Sequence, residues 1–251
     1  MPSEIRVVGL DGIPEVTPGD DLVEVIAGAL TASGETLQAG DILVVTHKIV
    51  SKSEGRLVDL ATIEPSPFAS DYAERYGKDA RQVEVVLRES DRIVRMGHGV
   101  MICETRHGFI CANAAVDASN VPGDHHVCLL PIDPDASARK IRDGLKARFG
   151  VAPAVIISDS FGRPWRKGIV NVAVGVAGMS PFADYRGQTD PYGYDLRVSV
   201  MAVADELAAT AELLAGKTDA RPVALIRGYH YTEGDGTAAD LVMDPERDLF
   251  R

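Results

Sequence analysis

The chain has 251 residues, 45% hydrophobic and 25% charged, a composition typical of a globular protein with one large domain or two closely associated lobes. Its formal net charge of −11 argues against a broad surface for nucleic acids or anionic membranes, but is compatible with a small basic pocket for a phosphorylated ligand. The N-terminus lacks the pattern of a signal peptide, and no stretch approaches the roughly 18 apolar residues of a membrane span, so we expect a cytoplasmic protein. The three cysteines lack metal-binding spacing and are expected to be buried thiols: Cys103, Cys111 and Cys128.

The first 60 residues alternate short apolar runs with helical patterns. The predicted elements are a strand at Ile5–Val8, a helix from the caps Asp20 and Asp21 to about Thr31, a strand at Ile42–Thr46, and a helix from Thr46 to about Gly55. The last of these helices would place Lys48 and Lys52 on one face, because they are four residues apart.

The rest of the chain mixes hairpin-like and helical segments. The predicted elements are one or two surface helices within 68–90, short strands from Arg92 to Val116 with a turn at 106–108, a helix over Asp133–Gly150 with Ile141, Leu145 and Phe149 on its apolar stripe, a strand at Val155–Ser158, a helix over about Ser199–Ala215, and a strand at Val223–Arg227. Residues 161–196 show little periodicity and are expected to form an irregular, functional stretch. This mixture favours an α+β fold over a doubly wound sheet.

Several motifs that suggest a known site fail on inspection. "LLAGKT" ends like a phosphate-binding P-loop, but Ala211 occupies the position of the required first glycine, and Gly216 is better interpreted as the end of a helix. No GxGxxG follows a strand, which argues against a dinucleotide fold. "VIISDS" resembles the nucleophile strand of haloacid-dehalogenase-type phosphatases, but Phe161 stands where their second aspartate is required. "DHHV" at 124–127 is typical of a surface turn rather than a zinc site.

Two aspartates and two lysines remain next to predicted strands. Asp117 lies in "NAAVDASNV" after a β run, and Asp159, with Ser160, is predicted to end the buried strand "VIIS". Lys48 and Lys52 follow a third strand. A single aspartate in such a place is more often a cap or turn residue, but the combination favours Mg²⁺ or Mn²⁺ bound with a nucleotide phosphate. Two carboxylates brought together would also repel each other unless a cation lies between them.

Ordered sequence blocks over nearly the whole chain resemble the coenzyme F420-0:L-glutamate ligase family. These blocks are "GIPEVTPGDDL", "GDILVVTHKIVSKSEGR", "NAAVDASNV", "LLPIDPDASA", "ISDSFGRPWRKG", "TDPYGYDL", "VADELAATAELLAGK" and "PVALIRG". The resemblance implies GTP-dependent addition of L-glutamate to the phospholactate-linked carboxyl side of the deazaflavin coenzyme F420-0, first through the α-amine and, for any further residues, through γ-linkages. It also implies that residues 1–251 form one ligase domain of two intimately associated α+β lobes, and that two chains form an interlocked homodimer.

The resemblance also assigns site residues. It implies nucleotide binding by Ile13, Pro14, Glu15, Val16, His47, Lys52, Asn120 and Lys217. It implies that Asp117, Asp159 and Ser160 bind two Mg²⁺ or Mn²⁺ ions, with the two aspartates catalytic. His47 stands where relatives often have serine. Lys217 stands where some relatives have a glutamine that touches the second ion, and we expect its charged amine to meet phosphate directly instead.

This inventory suits the activation of a carboxylate. A carboxylate is a poor electrophile, so it first accepts the γ-phosphoryl group of GTP to give an acyl phosphate and GDP, a step that depends on positioning and charge neutralisation. The amine of glutamate then displaces phosphate. Arg163 and Arg166 are candidates for binding anionic groups of the acceptor. Two alternatives remain: a related ligase that joins another carboxylate and amine, and an inactive nucleotide-binding protein, which has little need for the hard-metal ligands.

Overall fold

A computed structural model describes residues 4–121, 123 and 125–249. Its strands are β1 (Arg6–Gly9), β2 (Ile42–Thr46), β3 (Leu57–Asp59), β4 (Ser90–Gly97), β5 (Val100–Thr105), β6 (Ile110–Ala112), β7 (His126–Cys128), β8 (Ala154–Arg163), β9 (Arg166–Ala177), β10 (Ala183–Asp184), β11 (Val200–Met201) and β12 (Val223–Arg227). Its helices are α1 (Leu22–Ala32), α2 (His47–Ser53), α3 (Pro67–Tyr76), α4 (Ala80–Arg88), α5 (Pro134–Phe149) and α6 (Val203–Ala215). This mixture confirms the predicted α+β class. Within the described ranges, no helix combines the length and apolarity needed to cross a bilayer.

A five-stranded sheet in the order β1-β12-β2-β8-β9 positions the candidate site. Strands β2 and β8 run parallel and pair from Ile42 with Ala154 to Thr46 with Ser158, whereas the other neighbours are antiparallel. Both central strands are continuous apolar runs because they are buried on both faces. Since Thr46 lies beside Ser158, His47, the first residue of α2, comes close to Asp159, the next residue of β8.

Two clusters of buried side chains stabilise the chain. The larger one surrounds the five-stranded sheet, where α5 packs against β8 and β9, and α6 packs against β1, β12 and β9. The approach of α5 is close enough that a Cβ on Gly175 would lie 2.6 Å from the carbonyl oxygen of Pro134. The smaller cluster is formed by α3, α4, β3, β7 and the sheet β4-β5-β6. The division into two lobes stays a prediction.

Capping residues set the ends of the helices where the sequence predicts them. The Asp21 side chain accepts a hydrogen bond from the backbone N–H of Val23 at 2.9 Å and begins α1, and Asp133 begins α5 in the same way. Helix α5 ends at Gly150 with φ 72°, and α6 ends at Gly216 with φ 58°, backbone conformations that favour glycine. The segment 68–90 contains the two helices α3 and α4, as expected.

The prediction of an irregular stretch from 161 to 196 is wrong in its first half. Strand β8 continues through Asp159 to Arg163 and forms a long hairpin with β9. The outer part of this hairpin is exposed, so the apolar alternation that indicates a strand is lost there.

Three smaller expectations also differ from the structure. Helix α6 begins later than predicted because Val200–Met201 pairs with β10. Phe149 is 38% exposed and lies outside the core despite its place in the predicted stripe. His126 belongs to β7, not to a surface turn; Asp124 of "DHHV" lies outside the described residues.

All three cysteines are buried free thiols, as predicted. Burial, and to a smaller extent the charge of Asp159, raises the pKa of Cys111 to about 12, and burial also raises the pKa of Cys103 and Cys128.

We therefore expect the folded protein to resist alkylation at pH 8, because about one Cys111 thiol in ten thousand is ionised there and the thiolate is the reactive form. Mass spectrometry after iodoacetamide treatment should find the native chain unmodified and the urea-unfolded chain modified three times. Rapid labelling of the native chain would contradict this burial.

Candidate functional site

A cavity of about 650 Å³ lies at the edge of the sheet where β2 ends. Its lining includes every residue for which the family resemblance implies nucleotide binding: Ile13, Pro14, Glu15, Val16, His47, Lys52, Asn120 and Lys217. Asp159 and Ser160 line it too. Residues from six separate parts of the sequence therefore meet at one cavity, although what they bind stays a prediction.

Asp159 faces this cavity from inside β8, not from its end. The strand pairing shifts between Ile157 and Ser158, where β9 contributes one extra residue, Val174, so the irregularity lies just before Asp159. The carboxylate oxygen Oδ1 of Asp159 accepts the backbone N–H of Ser160 at 2.7 Å. Burial raises the pKa of Asp159, but attraction to His47, the Ser160 N–H and the charge of Lys48 together outweigh it, and the pKa lies below its ordinary value. Asp159 is therefore ionised at neutral pH.

His47 lies next to Asp159, and only 2% of its surface is exposed. Its Nε2 is 3.3 Å from Oδ1 of Asp159, an ion-pair distance without the direction of a hydrogen bond, and its Nδ1 is 3.3 Å from Oγ of Ser51. The imidazole thus lies within reach of the carboxylate as well as lining the cavity.

Asp117 is held by Lys48, which the sequence groups with the two aspartates but to which the family resemblance assigns no role. Lys48 Nζ donates to Oδ2 of Asp117 and, at 3.1 Å, to Oγ of Ser119. Asp117 itself is fixed by backbone hydrogen bonds in both directions with Cys128. Burial by itself raises the pKa of Asp117. The hydrogen bonds from Lys48 and Ser119 and the charge of Lys48 together lower the pKa by more than burial raises it, so this carboxylate is ionised as well. Asp117 does not line the cavity directly; Lys48 stands between them.

Ser160 belongs to a polar network that closes one side of the cavity. Its Oγ receives a hydrogen bond from Lys217 Nζ at 2.5 Å and donates to Oδ1 of Asn171 at 2.6 Å. Glu212 completes the network by accepting from Nδ2 of Asn171 at 2.9 Å and pairing with Lys217 at 3.2 Å. Sequence reasoning missed Asn171 and Glu212; Asn171 could be found only from the pairing of β8 with β9, in which it lies opposite Ser160.

The oxygen atoms of Asp117, Asp159 and Ser160 suit a hard divalent cation. The negative charge of the two aspartates is, however, already balanced by cationic side chains of the protein. Within the described part of the chain, no three His, Cys, Asp or Glu side chains converge on one point where a metal ion could bind. The Lys48 ammonium bonds Asp117 and acts electrostatically on Asp159, so the expected repulsion between the two carboxylates is relieved without a metal. Mg²⁺ or Mn²⁺ fits the carboxylate oxygens if it takes the place of that ammonium, with a phosphate and water as further ligands.

Lys52 and Glu15 also line the cavity and form an ion pair with each other. Lys52 Nζ pairs with Oε1 of Glu15 at 2.5 Å, joining α2 to the segment before α1. The backbone N–H of Gly19 also donates to the carbonyl of Ser53 at 2.8 Å, which holds this segment against α2.

The two arginines predicted to contact substrate lie elsewhere. Arg163 lines a second cavity of about 1050 Å³ on the outer part of the β8–β9 hairpin. Arg166, its cross-strand partner, is exposed and lines neither cavity.

Several known proteins are similar in sequence to this chain over almost its full length. The model of the F420-0:gamma-glutamyl ligase family matches residues 12–228. The coenzyme F420:L-glutamate ligase of Methanothermobacter thermautotrophicus is 49% identical over 250 residues, which cover 98% of this chain and 99% of the relative. The ligases of the same name from Methanopyrus kandleri and Methanocaldococcus jannaschii are 47% and 40% identical, covering 94% and 99% of this chain and 94% and 97% of the relatives. The chain therefore belongs to the F420-0:gamma-glutamyl ligase family.

Proposed function

We propose that this protein is a GTP-dependent ligase that adds L-glutamate to coenzyme F420-0 and forms GDP and phosphate. The names of its relatives supply the reaction of glutamate with the coenzyme. The observation that carries the proposal for this chain is the meeting of the implied nucleotide-binding residues with Asp159 and Ser160 at one cavity. Its 650 Å³ lies within the range of small-molecule sites.

In the first step, a carboxylate oxygen of the acceptor attacks the γ-phosphorus of GTP, and GDP leaves. The chain's task is to hold both anions in line and to balance their charge. Lys52 and Lys217 both line the cavity, where their ammonium groups can contact phosphate oxygens. The neutral base and ribose would rest on the segment Ile13–Val16.

Mg²⁺ or Mn²⁺, when bound, neutralises phosphate oxygens and so assists the transfer. Asp117 and Asp159 would hold the ion, and Lys48, released from Asp117, would be free to contact the nucleotide. Ser160 is engaged by Lys217 and Asn171, so the second ion that we also propose requires Lys217 to move from Ser160 to a phosphate.

In the second step, the amine of glutamate attacks the carbonyl of the acyl phosphate. The carbon–oxygen bond to phosphate breaks, an amide forms, and the amine loses a proton to solvent or to the departing phosphate. His47 keeps Asp159 oriented toward the cavity in both steps.

The product identifies the reaction. F420-0 incubated with the protein, GTP, Mg²⁺ and glutamate should gain the mass of one or more glutamyl residues. ATP at equal concentration should support much less ligation. Equal rates with both nucleotides would contradict the assignment of residues 13–16 to guanine, and no mass gain with F420-0 would favour a ligase for another carboxylate and amine.

Lys52→Ala should raise the KM for GTP about ten- to a hundredfold, because a charge-assisted contact to phosphate contributes about 1.5–3 kcal/mol. The KM for the acceptor should change less. Lys140→Ala, which removes an exposed lysine of α5, is the matched control and should change neither constant. If GTP saturates Lys52→Ala as it does the wild type, Lys52 does not bind the nucleotide.

We further propose that two chains form a homodimer, as the family resemblance implies. Large apolar side chains exposed on the outer part of β9 and on the loop before β11 support such an interface: Ile169, Tyr192, Tyr194 and Val198. Light scattering at micromolar concentration should give about twice the 26.8 kDa mass of the chain. A monomer under these conditions would contradict the dimer.

A further inference from the structure

We propose that the second cavity binds the acceptor, taking up the planar aromatic ring system of the coenzyme and the phosphodiester attached to it. This inference rests on the proposed ligase function and adds the place of its largest substrate. The cavity of about 1050 Å³ is larger than the nucleotide cavity and opens on the outer part of the β8–β9 hairpin.

Aromatic and aliphatic side chains form much of its wall. Phe109 and Phe161 meet edge to face with their ring centres 6.3 Å apart, and Trp165 at the hairpin turn is 85% exposed. Val172 and Val242 add aliphatic surface. Flat aromatic ligands bind between such groups because ring faces and methyl groups are removed from water together.

Three arginines give the same cavity a cationic rim: Arg95, Arg163 and Arg247. Within the described part of the chain, none of these guanidinium groups forms an ion pair with a carboxylate. Arg163 is steadied by a hydrogen bond to the carbonyl of Lys167 at 3.0 Å. Two carboxylates also line the cavity, Asp205 and Asp248, and Asp205 accepts the backbone N–H of Ala173 at 2.9 Å. Guanidinium groups on a rim suit a phosphodiester, which they can bind through two hydrogen bonds at once.

The two cavities lie against the same stretch of the β8–β9 hairpin. On β8, residues 158–160 line the nucleotide cavity and residues 161–163 line the second one. On β9, Asn171 belongs to the first, and Val172 and Ala173 to the second. In the strand pairing, Asp159, which lines the first cavity, lies opposite Val172, which lines the second. Paired residues have Cβ atoms about 5 Å apart, so a carboxylate at the end of a ligand in the second cavity has a short way to the phosphate beside Asp159.

Two single substitutions test the assignment. Arg163→Gln and Arg95→Gln should each raise the KM for F420-0 about tenfold and leave the KM for GTP within about twofold. Lys167→Gln is the matched control, because it removes an exposed cation of the same hairpin that does not line the cavity, and it should change neither constant. Equal KM values for F420-0 in all four proteins would overturn the acceptor site while leaving the ligase function in place. Absence of ligation by the wild type would instead contradict the proposed function.

The single tryptophan provides a second readout without turnover. Trp165 is the only tryptophan of the chain and lines this cavity, so tryptophan fluorescence reports on ligands bound there. Titration with F420-0 in the absence of GTP should quench the emission in a saturable way, with a Kd raised about tenfold in Arg163→Gln, whereas GDP should leave it unchanged. Emission that responds to GDP but not to F420-0 would overturn the proposal.

Discussion

Asp159→Asn should lower kcat about a thousandfold and leave the protein folded. The substitution removes the negative charge that holds a divalent ion against the phosphates, and loss of such charge stabilisation costs several kcal/mol in the transition state. The alternative hypothesis is that Asp159 has only a structural role, as a cap or turn residue. Turnover should therefore be compared, at saturating Mg²⁺, with that of Asp133→Ala, which removes the cap of α5 and should cost about 1 kcal/mol of stability with little effect on rate.

The thermal stability of Asp159→Asn without metal shows whether the ionised Asp159 is destabilised by repulsion from Asp117 or stabilised by neighbouring protein cations. Repulsion between Asp117 and Asp159, expected from the sequence, predicts that the asparagine variant is slightly more stable. The structure predicts a loss, because His47 and Lys48 stabilise the ionised carboxylate and hold its pKa below the ordinary value. A melting temperature above that of the wild type would contradict this charge balance, and near-normal turnover would show that Asp159 does not hold the ion.

Asp41→Ala should reduce the free energy of unfolding by about 3 kcal/mol, the low end of the range for breaking a buried ion pair. Asp41 is fully buried before β2 and accepts hydrogen bonds from Nε and Nη2 of Arg227 at 2.8 and 2.7 Å and from the backbone N–H of Gln38 at 2.8 Å. Its loss would leave the Arg227 guanidinium with the carbonyl of Thr36 at 2.8 Å and the more distant carboxylate of Glu35 at 3.6 Å. Calorimetry should find a melting temperature about 6–12 °C lower.

A surface pair of the same kind provides the control. Asp71, whose side chain is 72% exposed, pairs with Arg75 across one turn of α3 at 3.4 Å. Asp71→Ala should cost no more than about 0.5 kcal/mol. Equal losses in the two variants would show that burial does not set the contribution of Asp41.

The sequence predicts best those features that depend on neighbouring residues. Asp21, Asp133 and Gly150 mark helix ends through local backbone geometry, and β2 and β8 are evident as continuous apolar runs. The site residues that the resemblance assigns follow from ordered sequence blocks, and all but Asp117 line one cavity. Arg163 and Arg166, which were added on chemical grounds, do not line it.

Features that depend on distant partners could not be predicted. Lys48 meets Asp117 from 69 positions away, and Lys217 meets Ser160 from 57. The β8–β9 pairing that brings Asn171 opposite Ser160 leaves little periodicity, because the outer hairpin is exposed. The residue types therefore indicated a metal and a nucleotide, but only the folded structure reveals which protein cations balance the carboxylates.

The transfer of isotopic oxygen tests most directly that GTP activates the acceptor carboxylate. F420-0 labelled with ¹⁸O in that carboxylate should be ligated to glutamate with the wild-type protein, GTP and Mg²⁺, and the phosphate released should be examined by mass spectrometry. An acyl phosphate requires that the oxygen joining carbon to phosphorus leaves with the phosphate, so each amide formed should give one phosphate carrying one ¹⁸O and one GDP. Unlabelled phosphate accompanying labelled amide product would contradict the account.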